Sequence, residues 1–204
     1  MTSKKILFTG GNGFIGRQII PLIEGAGYDV VRPRSTQVRL EVDEEVATLF
    51  SDGQHYDAII HGAIVGGRRD VDDDWGVMHT NLNMFETLYK YIDHTDMFIN
   101  LDSGASYGRP APVPEPSPQD FGQVIPGDPY GFSKYIIAKR VLADPKIDTH
   151  GPILAIFSHP STNSDITLKI CQESDIFISF QLFFLNALNF LGGFCHTVLS
   201  FDNF

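Results

Sequence analysis

A short apolar run, Ile6-Leu7-Phe8, leads directly into Thr9-Gly10-Gly11-Asn12-Gly13-Phe14-Ile15-Gly16, and Ile15, Ile19, Ile20 and Ile23 then recur at helical spacing. The run predicts a buried strand, the glycines a tight turn, and the isoleucines a helix packed on one side. Such a strand–turn–helix unit makes an anion cradle. Glycine lets backbone approach a pyrophosphate closely, and the free N–H groups of the helix start face it. With 19 glycines in 204 residues, three at this spacing arise by chance roughly 0.2 times in a chain. The flanking strand and helix therefore carry the specificity, against the alternative of a plain packing turn.

The length suits one domain, or one and a fraction, and 43% apolar residues are enough for an ordinary core. The net charge of −10 argues against nucleic acid as a partner, because phosphate backbones require a basic face. It leaves a nucleotide open, which needs only a local cradle. Asp70 and Asp72-Asp73-Asp74 read as a solvated loop. Cys171 and Cys195 have no metal-ligand or C-x-x-C spacing, which favours a reducing compartment. The chain opens on a core strand with no stretch resembling a signal peptide, so a cytoplasmic location is the expectation.

Strands and helices alternate to about residue 145. Strands are expected at Ile6–Thr9, Asp29–Arg32, Ala58–His61, Met97–Leu101 and Ile153–Phe157. Helices are expected after the glycine turn and at Glu44–Phe50, Asn81–Tyr91 and Tyr130–Leu142, with a proline- and glycine-rich loop over 108–129. This order predicts an α/β fold, a doubly wound parallel sheet of Rossmann type. It places a dinucleotide-binding domain at 1–157 and a divergent apolar segment at 158–204. From Ile176 to Phe201 there is no Asp, Glu, Lys or Arg. That run is long enough for a membrane span, but Gln181, Asn186, Asn189 and His196 favour a buried or poorly folded terminal segment over membrane contact.

A second signal is Tyr130-Gly131-Phe132-Ser133-Lys134. Positions i and i+4 share a helix face, so phenol and ammonium point the same way. A neighbouring cation lowers a phenol's pKa, and such a tyrosine can pass a proton to or from a sugar oxygen while hydride moves to or from a nicotinamide. Tyr135 and Lys139 repeat the spacing in the same helix. Five residues turn a helix by about 140°, so both pairs cannot face one site. Tyr130, behind Asp128-Pro129 at the helix start, is the better placed. A third signal is Asn100-Leu101-Asp102-Ser103-Gly104-Ala105-Ser106-Tyr107-Gly108, which sets a serine just past a buried strand, at the sheet edge where ligands bind in such folds.

Together these three motifs resemble the extended short-chain dehydrogenase/reductases, in their nucleotide-sugar epimerase/dehydratase branch, over about residues 4–145. The resemblance implies that Thr9, Gly10, Gly13, Phe14, Ile15 and Gly16 bind an NAD(P) dinucleotide, and that Ser103, Tyr130 and Lys134 form the catalytic set, with Tyr130 and Lys134 also touching the cofactor. Ser103 is preferred to Ser106 because it stands four residues before the Tyr107-Gly108 pair. Gly62 and Ala63 match a small-residue turn bordering the cofactor. Asn81 matches an asparagine that supports the site, and Glu41-Val42 stand where the family has an acidic and an apolar residue near the adenine.

Departures from the pattern refine the expectation. NAD-dependent members carry an acidic residue at the end of the second strand, whereas this chain has Arg32 and Arg34 there. Arginines attract a 2′-phosphate, so NADP is favoured, with NAD as the alternative. No acidic pair follows Ser103, which disfavours a dehydratase. Ile64-Val65-Gly66-Gly67 resembles a loop of GDP-fucose synthase-like reductases, but their cysteine after the serine is absent. A 4-keto-sugar reductase or 4-epimerase acting on a nucleotide-linked sugar remains, with self-association as a homodimer left open. Members of the branch continue for a further substrate-binding subdomain, largely missing from this chain. The competing expectation is therefore a dinucleotide-binding protein with weak or no turnover.

Overall fold

The computed structural model describes residues 4–68, 71–108, 121–143, 154–158, 167–169 and 177–179. Strand β1 (Lys4–Thr9) runs through the middle of a sheet, between β2 (Tyr28–Val31) and β3 (Ala58–His61). Beyond β3 lie β4 (Phe98–Ser103) and β5 (Leu154–Ser158). All four pairings are parallel, giving the order β2-β1-β3-β4-β5. A separate antiparallel pair joins β6 (Thr167–Lys169) and β7 (Phe177–Ser179). From β1 the chain moves to one neighbour, then crosses back to the other side. The two directions diverge between β1 and β3, and that divergence opens a crevice at the strands' carboxyl ends.

Strand parity explains the two cores. Ile6 and Phe8 face one way with Ile60, Ile99 and Leu101, and are covered by Ile19, Ile20 and Ile23 of α1 (Phe14–Gly25). Leu7, Ile59 and Phe98 face the other way. Phe85 and Leu88 of α3 (Trp75–Tyr89) cover them, with Ile137 and Val141 of α4 (Pro129–Leu142). With helices on both faces, the strands can be nearly continuous apolar runs, as β1 and β3 are.

Two elements differ from expectation. The helix expected at Glu44–Phe50 is α2 (Asp43–Ala47), followed by a 3-10 stretch, Thr48–Gly53, that kinks at Asp52 with φ 55°. The helix expected from Asn81 begins at Trp75, because the Asp74 carboxylate accepts from the Gly76 N–H at 2.6 Å and caps it. Asp73 likewise accepts from the Gly67 N–H at 2.8 Å. The acidic run is thus a pair of backbone anchors rather than only a solvated loop. Asp70, both cysteines, residues 109–120 and most of 158–204 lie outside the described residues. Among the described residues no helix is long and apolar enough to cross a membrane.

Candidate active site

At the carboxyl end of β1 the chain turns at Gly10 with φ +73°. A Cβ there would sit 2.5 Å from both Ala63 N and Gly62 C. The glycine turn and the small-residue turn after β3 therefore meet backbone to backbone, and only glycine permits the approach. Gly13 is the N-cap of α1, its N–H donating to Gly10 O at 2.9 Å. The first turn of α1 has neither a side-chain cap nor an acidic residue. Its N–H groups and positive dipole end thus meet no competing carboxylate of that helix. Ile15 packs partly on the core, whereas Phe14 is 77% exposed at the mouth of the turn.

Arg32 and Arg34 follow β2 and are exposed. A Cβ at Gly11 would lie 3.1 Å from Arg32 Cβ, which puts that arginine directly beside the glycine turn. Among the described residues neither guanidinium forms an ion pair, unlike Arg39, which grips Glu45. Glu41 is exposed, and Val42 is the partly buried N-cap of α2.

Three residues in register, Thr9, His61 and Asn100, form a polar row across β1, β3 and β4, one layer beyond Leu7, Ile59 and Phe98. Thr9 Oγ1 and His61 Nδ1 are 2.8 Å apart. Thr9 and Asn81, both expected near a cofactor, have their side chains engaged internally. Asn81 Oδ1 accepts from Val65 N at 2.9 Å, and its Nδ2 donates to Val65 O at 3.1 Å and Ser133 Oγ at 3.2 Å. Asn81 thereby ties the loop after β3 to α4.

Ser103 ends β4 and is half-buried; its Oγ accepts from Ala105 N at 3.3 Å, starting the 3-10 turn Gly104–Tyr107. Ser106 is fully buried and donates to Ser103 O at 2.8 Å, so it supports the turn. Helix α4 starts on the Asp128 cap, with Pro129 in the first turn, and packs closely on that turn. A Cβ at Gly131 would be 2.8 Å from Ala105 O. Tyr130 is half-buried, and its ring lies against Gly67, whose φ is +79°. A Cβ at Gly67 would meet Tyr130 Cε2 at 2.6 Å and Cζ at 2.7 Å. Lys134 is 4% exposed, and its ammonium donates to Leu101 O at 2.6 Å.

The rival pair is elsewhere. Tyr135 is buried against Phe121, with ring centroids 5.3 Å apart, and Lys139 Nζ stands 5.3 Å from the Tyr135 centroid. Identical spacing has yielded a cation–π contact in the packing layer.

Asp102 was not foreseen as a site residue. It is 4% exposed beneath α4, and burial pushes its carboxyl up to about 7, against the pull of Lys134. Burial pushes Lys134 down to about 8, and it pushes His61 down to about 3 with help from the Lys134 charge. Between about pH 4 and 7 Asp102 holds a proton in the fold that it has lost when unfolded, and above that range it is ionised in both states, so its contribution is lost as pH rises from about 4 to 7. His61 is neutral in the fold but protonates when unfolded below about 6.5, so its contribution is lost as pH falls. Between about pH 4 and 6.5 the two oppose each other. Asp102→Asn should therefore make Tm climb more steeply with pH over that interval than in the parent, and His61→Gln should make it climb less or fall. Melting curves in a buffer series check this; identical slopes in all three proteins would refute it.

The sequence profile of the NAD dependent epimerase/dehydratase family matches residues 6–157. A candidate UDP-glucose 4-epimerase of Methanocaldococcus jannaschii is 30% identical over 152 residues, which is 64% of this chain and 48% of that protein. The fold is that of a GDP-6-OMe-4-keto-L-xylo-heptose reductase from C. jejuni, with a TM-score of 0.64 at 16% identity, over 77% of this chain and 46% of that one. It is also that of a GDP-L-fucose synthetase from Naegleria fowleri bound to NADP, with a TM-score of 0.63 at 16% identity, over 78% and 50%. Bordetella bronchiseptica WbmG, solved with NAD and UDP, gives a TM-score of 0.58 at 18% identity, over 78% and 53%. The chain spans about half the length of these relatives. A parallel sheet turning at Gly10, with Ser103, Tyr130 and Lys134 gathered at its carboxyl edge, agrees with the profile match: the chain belongs to the NAD-dependent epimerase/dehydratase family.

Proposed function

We propose that this chain binds a nicotinamide dinucleotide at the β1–α1 turn and takes part in hydride exchange at a sugar carbon of a nucleotide-linked sugar, as a 4-keto-sugar reductase or 4-epimerase. The observation that carries this reading is the contrast along one helix face. Lys134 is sealed in with its ammonium on Leu101 O, while Tyr130, one turn earlier, stays half-exposed beside the Ser103 turn. A dinucleotide fits the residues present, since the uncapped start of α1 offers N–H groups to a pyrophosphate. Bound there, the nicotinamide supplies the hydride chemistry. Tyr130 holds or releases the proton at the sugar oxygen, Ser103 Oγ orients that oxygen, and the Lys134 charge favours the phenolate. Neighbours of this fold carry GDP- or UDP-linked names and ligands, which supports a nucleotide sugar as substrate.

Arg32 and Arg34 favour NADP over NAD, because two exposed arginines after β2, in no ion pair among the described residues and with the Cβ of Arg32 beside the glycine turn, suit a 2′-phosphate. NADPH should raise Tm more than NADH at equal concentration, and Arg32→Ala with Arg34→Ala should erase the difference. Ligand stabilisation of the folded state is about 2.7 kcal/mol at a hundredfold excess over Kd, so a tenfold affinity gap is easily read. Equal shifts in the parent would refute the arginine argument. A nucleotide-sugar screen with NADPH present then tests the substrate; NADPH binding with no sugar turned over would favour the binding-protein reading.

A further inference from the structure

Asp102 is ionisable, sealed in, and unused by the mechanism above. Strand parity sets its direction. Phe98, Asn100 and Asp102 alternate with Ile99 and Leu101, and Phe98 belongs to the core under α3 and α4, so Asp102 points beneath α4. Neither carboxylate oxygen makes a well-formed hydrogen bond among the described residues, although the Ser103 N–H and Ser106 hydroxyl lie near enough to favour its charged form. Their support is weak, less than the pull of Lys134, and Ser106 Oγ donates to Ser103 O. Lys134 comes to the same piece of strand from above, and its ammonium donates to the carbonyl of Leu101, the residue next to Asp102.

We propose that Asp102 is a positioning residue for the reaction: its carboxylate, sealed beneath α4, is the counter-charge that keeps the Lys134 ammonium protonated below Tyr130. The proposal rests on the reading of Lys134 as the electrostatic partner of Tyr130.

An isolated charge this deep costs several kcal/mol, and the cheap escape is neutralisation by proton loss or gain. Two opposite charges in one weakly screened pocket suppress that escape for each other, even without the contact of a salt bridge. The directions agree. Burial drives both groups toward their neutral forms, and the field of each draws the other back. Lys134 is the charged group whose field acts on Asp102; His61 on β3 is neutral, and the 104–107 turn presents hydroxyls. Register places Phe157 of β5 opposite Asp102. Asp102 therefore decides whether Lys134 is an ammonium at neutral pH, and an uncharged Lys134 cannot lower the phenol's pKa.

The test follows Lys134 directly, with no cofactor or substrate. Lysine Cε resonances of isotope-labelled protein are titrated, and the Lys134 signal is assigned by its loss in Lys134→Met. In Asp102→Asn and in the smaller Asp102→Ser, the Lys134 pKa should fall by about one pH unit or more. In Lys134→Met, the Asp102 carboxyl resonance should titrate at higher pH than in the parent; this arm keeps Asp102 in place should either strand variant fail to fold. An unmoved Lys134 in folded Asp102 variants, or an unmoved Asp102 in Lys134→Met, overturns the pairing. Tyrosine ionisation, read as the ultraviolet difference between the parent and Tyr130→Phe, separates the other failure. A Lys134 shift that Tyr130 does not follow overturns the reading of Lys134 as the tyrosine's partner, and the catalytic role of Asp102 with it.

Discussion

Tyr130→Phe is expected to lower turnover by about 10²–10⁴-fold, the range for removing a positioned acid–base group, while leaving dinucleotide affinity nearly unchanged. The ring would remain, seated on Gly67, and Lys134 would still donate to Leu101 O. Only the proton-bearing oxygen is lost. The matched control is Tyr135→Phe. Tyr135 is buried among Phe121, Phe132 and the Lys139 ammonium, so its variant should keep activity within a few-fold. Initial rates with NADPH and the responding nucleotide sugar, beside cofactor titrations of each variant, decide the matter. If Tyr135→Phe is the damaging change, or Tyr130→Phe is silent, the assignment of the acid–base group falls.

Gly10→Ala should be severely damaging, because it joins a left-handed backbone to a backbone clash. At φ +73° an L-residue is strained by roughly 1–2 kcal/mol, and a methyl 2.5 Å from the backbone of Gly62 and Ala63 adds about 1–3 kcal/mol of overpacking. For a chain of this size the sum lowers Tm by roughly 5–15 °C. The methyl also forces apart the two turns that border the proposed dinucleotide crevice, so NADPH should no longer shift Tm. Gly25→Ala is the control. A Cβ there meets nothing within 4 Å, and the residue ends a helix, where alanine is the better former. A Gly10→Ala protein that melts with the parent and still responds to NADPH would refute this account.

The sequence disclosed the sheet and the first turn because both are local. Apolar runs of four to six residues bounded by glycine or proline name their own strands, and β3 lies at Ala58–His61 as expected. Asp128-Pro129 announced the start of α4 in the same way. What stayed hidden depends on distant backbone. Asp73 and Asp74 look like any acidic loop until the Gly67 and Gly76 N–H groups are known to face them. The two Tyr-x-x-x-Lys pairs are equal in spacing, and only Phe121 and Gly67, arriving from other loops, tell them apart. Asp102 offered a faint signal, a lone acid inside an apolar strand. Its meaning required the parity of β4 and the landing point of Lys134.

The contact between Gly67 and the Tyr130 ring has a consequence for anyone redesigning what this protein accepts. The loop after β3 has two kinds of position. At Val65 the backbone is fastened by Asn81 while the side chain is exposed, so residues there can be exchanged freely. Positions 66 and 67 have no such latitude. A side chain at 66 would strike Asp73 and Val77, and one at 67 would push the phenol aside. A randomised library over this loop would return two invariant glycines that no ligand need ever touch.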